Sequence, residues 1–286
     1  MAGNNNIQTD IAKKGSYQKN NKQKEDTMKL RTTDNIDLHY STFGERKDTP
    51  VVLIHGLGAD RYMWEPQMIS LPGEGLFLIV PDMRGHGNTS KVNTFSIKDC
   101  ARDISQLLYH LDCPRAVITG VSMGGVIAQQ FACDFPDQTE KLVVADSFSE
   151  VASFSEKTGG WMQWLTIRLA PGMLIKSMKK VYQGPEKKDT LRYFRESLAK
   201  QDKKQILKAR AALNRFQITD RLEAIEAPTL VLVGDGFGTF AIRMAQKTAR
   251  AIAGADFHVL QGGLDPSNMV VQETFDREML KFIKQG

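Results

Sequence analysis

The hydrophobic pattern from Met28 onward alternates between two periods. "IDLHYSTF" (36–43) alternates apolar and polar positions and predicts an early antiparallel strand. "VVLI" (51–54) and "LFLIV" (76–80, ending at Pro81) are continuous apolar runs, the pattern of strands buried on both faces. "IKDCARDISQLLYHL" carries apolar residues at helical spacing behind Ser96, a suitable N-cap. "RAVITG" then predicts a strand, "MGGVIAQQFACDF" a helix ending before Pro136, and "KLVVAD" (141–146) a further strand.

The alternation breaks between about 148 and 220. "WMQWLTIRLA", "GMLIKSMKKV", "KDTLRYFRESLAK" and "KKQILKARAALNRF" all read as helices, separated by Pro171 and by "YQGPEKKD". It resumes with the strand "TLVLVG" (229–234), a helix around "FAIRMAQKTARAIA", the strand "DFHVL" and a closing helix "ETFDREMLKFIK". Such alternation implies an α/β fold with a mainly parallel, doubly wound sheet covered on both faces. The expected organisation is a core formed by 28–147 and 221–286, with a helical cap at 148–220 over the carboxyl ends of the strands, where ligands bind in such sheets.

Composition narrows the class. A chain of 286 residues with 41% hydrophobic and 25% charged residues is of ordinary globular type. No apolar run approaches the length of a membrane span. Residues 1–27 are polar, rich in Asn, Gln and Lys, and lack the apolar core of a secretory signal; they read as a disordered tail. Cys100, Cys113 and Cys133 lack metal-ligand spacing and read as reduced thiols of a cytoplasmic protein.

The net charge of +5 is unevenly placed. Fifteen Lys and Arg face five Asp and Glu between Lys157 and Asp220. Lysine-rich solvent faces of amphipathic helices are the favoured explanation, ahead of contact between the basic cap and an anionic membrane surface. No aromatic-interleaved motif points to nucleic acid.

The chemistry-bearing stretch is Gly120-Val121-Ser122-Met123-Gly124, a G-x-S-x-G sequence between an apolar strand and a helix. This is the context of a nucleophile elbow, in which a strained turn exposes a serine at the end of a sheet. His55-Gly56-Leu57-Gly58 follows the strand "VVLI", where a small-residue turn can aim an N–H at a developing oxyanion. With "DMRGHG" (82–87), these motifs make the chain resemble the α/β-hydrolase superfamily, in its esterase, lipase and C–C hydrolase branch, from about residue 30 to 284.

The resemblance implies Ser122 as nucleophile and the N–H groups of Leu57 and Met123 as the oxyanion hole. His55 and His86 match positions that are usually structural. The acid expected after "TLVLVG" would fall on Phe237; Asp235 lies two residues early, and Asp146 is the alternative after the preceding strand. The histidine expected after the last strand is replaced by Leu264 in "VLQGGLDPSN". His39, His110 and His258 read as core or surface residues, and His86 is the nearest substitute base. Asp265 is a second substitute, opposed by an ordinary carboxylate pKa near 4 that is poorly matched to activating serine.

Two functions follow. One is a serine hydrolase of carboxylic esters or related small acyl compounds. The other is a catalytically degenerate member that binds a small apolar ligand or a protein partner, with Trp161, Met162, Trp164, Leu165 and Ile167 lining the ligand site. Acyl transfer of this kind implies no metal or organic cofactor.

Overall fold

A computed structural model describes residues 27–151, 153–184 and 187–285. Up to residue 26, the expected N-terminal tail lies outside the described residues. Eight strands form one sheet: β1 (Met28–Arg31), β2 (Asp37–Phe43), β3 (Thr49–Ile54), β4 (Leu76–Pro81), β5 (Ala116–Val121), β6 (Thr139–Ala145), β7 (Thr229–Gly234) and β8 (Asp256–Leu260). Their order is β1-β2-β4-β3-β5-β6-β7-β8. Only β1 with β2, and β2 with β4, pair antiparallel; every other pair is parallel.

Every residue of β4, β5 and β7 is buried, as their unbroken apolar sequences require. Alternate side chains serve opposite faces. Val52, Ile54, Ile79, Ile118 and Val144 point to one core layer. Val51, Leu53, Leu78, Val117 and Val143 point to the other. Each such side chain contributes about 1.5–3 kcal/mol by leaving water.

The helices are α1 (Glu65–Ser70), α2 (Ile97–His110), α3 (Met123–Asp134), α4 (Phe154–Leu169), α5 (Pro171–Val181), α6 (Lys188–Lys200), α7 (Lys203–Leu213), α8 (Gly238–Ala251), α9 (Ser267–Val270) and α10 (Gln272–Lys284). Ser96 caps α2, its hydroxyl accepting from the Asp99 N–H at 3.3 Å. α4 starts seven residues earlier than the periodicity predicts, because Ser153 and Glu156 form a capping box and the Gly159-Gly160 pair is absorbed into the helix. A Cβ on Gly160 would meet the side-chain ends of Asn214 and Arg210.

Helices α4–α7 form one insertion between β6 and β7. Its two ends meet in an antiparallel bridge between Glu150 and Gln217. The Val151 N–H donates to Phe216 O, and the Ile218 N–H to Ser149 O. The insertion is tied to loops at the carboxyl ends of the strands. The Tyr193 hydroxyl accepts from the Asp60 N–H, and the Ser197 hydroxyl donates to Gly58 O. The Gln205 side chain pairs with both the N–H and the carbonyl of Val92.

Candidate active site

Ser122 stands between β5 and α3 with φ 58° and ψ −118°, a strained conformation for a non-glycine residue. Its neighbours explain how the strain is held. A Cβ on Gly120 would overlap the Gly124 backbone, and one on Gly124 would overlap the Ile54 carbonyl. The Ser122 N–H donates to Ala145 O at 2.9 Å, and its carbonyl accepts from the Ser147 hydroxyl at 2.8 Å. Strand, helix and turn thus share one tight junction.

The loop after β3 lies against this junction. A Cβ on Gly56 would come within 3.4 Å of the Ser122 Cβ. Leu57 follows directly, and Met123 is the first residue of α3, so its N–H has no acceptor one turn back within the helix. The loop is braced by His55: Nδ1–H donates to Gly56 O at 2.8 Å, and Nε2 accepts from the Met83 N–H at 2.9 Å. Burial lowers the His55 pKa to about 4, so the ring is neutral and both nitrogens are committed. His86, the nearest substitute base by sequence, is buried with Nδ1 3.2 Å from Arg84 O, and burial lowers its pKa to about 3.

The other histidines are occupied elsewhere. His258 pairs with Glu278 at 3.0 Å on the outer edge strand, and the His110 ring packs edge-on against Tyr40. His39 sits within β2.

Two buried ion pairs fix the turn after β4. Arg61 meets Asp82 at 2.6 Å, and Asp82 also accepts from the N–H groups of Arg61 and Asn88. Arg84 grips Asp103 of α2 with two nitrogens, at 2.7 and 2.6 Å.

The residues expected after the last strands separate. Leu264 turns away into an apolar cluster with Tyr182 and Val270, its side chain against Gly236. Asp235 is partly exposed, and its carboxylate accepts from the Gly262 N–H at 2.8 Å. The ionisable side chain beside that of Ser122 is Asp265. The Tyr182 hydroxyl, from the insertion, donates to the Asp265 carbonyl.

Asp146, at the end of β6, completes the cluster. It accepts from the Gly234 N–H at 2.8 Å, the Ser267 N–H at 2.7 Å and the Ser267 hydroxyl at 2.9 Å. Burial raises the Asp146 pKa above the ordinary carboxylate value, and these three donors oppose it in part. Burial, and then the adjacent Asp146 charge, push the Asp265 pKa up to about 8. The objection from an ordinary carboxylate pKa therefore does not apply at this position. The sequence offers Asp265 as a candidate but does not show its raised pKa: Asp146 lies more than a hundred positions away, and Ser267 and Tyr182 carry no motif.

The apolar residues expected to line a ligand site also divide. Ile167 is buried and Trp164 and Leu165 are half-buried, whereas Trp161 and Met162 face solvent. Burial holds the thiols of Cys100, Cys113 and Cys133 above their ordinary pKa, which leaves them weak nucleophiles.

Comparison with known proteins agrees with this architecture. Residues 49–170 match the model of the alpha/beta hydrolase fold family. The 3-oxoadipate enol-lactonase 2 of Acinetobacter baylyi is 33% identical over 121 residues, which is 42% of this chain and 45% of that one. The poly(3-hydroxyalkanoate) depolymerase of Ectopseudomonas oleovorans is 26% identical over 75% of this chain and 77% of its own length. A thermophilic esterase from Thermogutta terrifontis superposes with a TM-score of 0.79 at 25% identity, covering 91% of this chain and 98% of that one. With the elbow and the eight-stranded, mainly parallel sheet already described, the chain has the α/β-hydrolase fold.

Proposed function

We propose that this protein is a serine hydrolase of carboxylic esters or related small acyl compounds, with Ser122 as nucleophile and Asp265 as its base. The placement of the Asp265 carboxylate beside the Ser122 side chain carries the reading. A carboxylate with a pKa near 8 is about as basic as an imidazole, which removes the need for a histidine.

In the acylation step, Ser122 Oγ attacks the acyl carbon while its proton passes to the ionised Asp265. The N–H groups of Leu57 and Met123 hold the oxyanion. Collapse of the tetrahedral intermediate breaks the bond to the leaving group, which takes the proton from Asp265. Water then repeats the sequence on the acyl-enzyme and regenerates both side chains. Asp146 keeps Asp265 basic through its negative charge, and anchors the loop through Ser267. Helices α4–α7 act as the cap that closes over the acyl group. The names of the relatives, an enol-lactonase, a depolymerase and an esterase, support cleavage of an ester-type bond.

The test is labelling by a fluorophosphonate together with turnover of a p-nitrophenyl ester series. Native protein should label and turn over, Ser122→Ala should do neither, and Asp265→Asn should be strongly impaired in both. A native protein that neither labels nor turns over any ester would favour the ligand-binding alternative.

A further inference from the structure

The surface of the insertion carries the strongest feature that catalysis leaves unused. Five of the eleven large apolar side chains exposed among the described residues fall within 161–181: Trp161, Met162, Leu169, Met173 and Val181. Their exposure is substantial, at 56% for Trp161, 70% for Leu169 and 65% for Met173. At ~100° per residue, Trp161, Met162 and Leu169 lie within about a quarter-turn of α4, and form one stripe. Ile167 on the opposite side of α4 is buried, so the helix satisfies the core and still presents a second apolar face.

Charge accompanies this stripe. Residues 157–184 contain five cations, Lys157, Arg168, Lys176, Lys179 and Lys180, and no acidic residue. The four lysines make no ion pair among the described residues. The Arg168 guanidinium lies over the Trp164 ring at 5.1 Å. An apolar stripe flanked by unopposed cations, on two consecutive helices, matches the layered chemistry of a bilayer interface. There the aliphatic and indole groups enter the acyl boundary, while lysines meet lipid phosphates.

We propose that the outer face of α4 and α5 docks on an anionic lipid bilayer. A second copy of the chain fits poorly as the occupant, because it would bring five more cations against these five with no acid between them. A soluble polyanion would leave the apolar stripe in water.

Full-length protein should be sedimented with phosphatidylcholine vesicles, with and without phosphatidylglycerol, at low and high salt. The protein should pellet with the anionic vesicles at low salt, stay in solution with neutral ones, and be released as salt rises from about 0.05 M to about 0.5 M. The triple variant Lys176→Gln/Lys179→Gln/Lys180→Gln should lower partitioning on the order of 100-fold, from about 1 kcal/mol per lost cation. A second variant, Trp161→Ser/Leu169→Ser, should also release the protein, and native tryptophan emission should shift blue on binding only where Trp161 is present. All these side chains are exposed, so thermal melting should be unchanged in both variants. Absence of anionic binding would overturn the proposal. So would binding that both variants retain, which would assign it to another basic segment, or a concentration-dependent dimer that buries Trp161.

Discussion

The Asp265 carboxylate lies beside the Ser122 side chain, and burial, followed by the second carboxylate of the cluster, Asp146, raises its pKa. A pair of acids beside a serine titrates differently from the imidazole of related enzymes, and that difference is measurable.

The first consequence concerns pH. Asp265 must be ionised to accept the serine proton, so kcat/KM on an ester of fixed charge should rise tenfold per pH unit and level off above about 8. Asp265→Asn should lower kcat/KM by a factor on the order of 10² to 10⁴ and remove the dependence. The same group makes stability depend on pH in the opposite sense. The folded state keeps its proton up to about 8, whereas the unfolded chain releases it near the ordinary value of 3.8. The Asp265 contribution to stability is therefore full below about 4 and is lost as pH rises toward 8. Urea unfolding across this range should show a negative slope that is shallower in Asp265→Asn.

Two histidine substitutions one residue apart should behave in contrast. In Asp265→His an imidazole replaces the carboxyl beside Ser122, with Asp146 available to orient it. The pH–rate midpoint should move from about 8 toward about 7. In Leu264→His the ring enters the apolar cluster of Tyr182 and Val270. That variant should gain no activity and lose about 1–3 kcal/mol of stability, measured by denaturant midpoint.

At the elbow, Gly124→Ala should be far worse than a helix-favouring substitution suggests. The new Cβ has no room against the Ile54 carbonyl, and the backbone of β3 cannot yield locally. A loss above about 3 kcal/mol or failure to accumulate as folded protein is expected, read by circular dichroism melting.

Asp82→Asn removes the charge partner of Arg61 in a region where both side chains are inaccessible. Breaking this buried pair should cost about 3–5 kcal/mol. The matched test is Arg61→Met/Asp82→Leu, which removes both charges and should recover much of the loss.

The sheet and the elbow were legible because both are written locally. Buried parallel strands read as unbroken apolar runs, and the glycines at 120 and 124 mark a turn that admits no side chain. β1 was not predicted, since four residues of mixed polarity at a sheet edge carry no burial pattern. α4 starts earlier than the periodicity places it because a glycine pair looks like a break, while the Ser153–Glu156 capping box that opens the helix lies before it. The candidate site was legible only in part. The loss of a histidine after the last strand was visible and Asp265 could be named as a substitute, but the alignment with Leu264 could not fix its place beside the serine. A one-residue offset in a loop is set by how Gly236 and Gly263 pack, which no motif encodes. The basicity of Asp265 was equally hidden, since it depends on burial and on an aspartate from another strand.

The bridge between Glu150 and Gln217 brings the two ends of the helical insertion within one backbone hydrogen bond of each other. The segment is thus an interchangeable cassette: a tight reverse turn would close the gap it leaves, and another of different length would fit the same socket. A replacement with matching ends should leave the eight strands and the serine junction untouched.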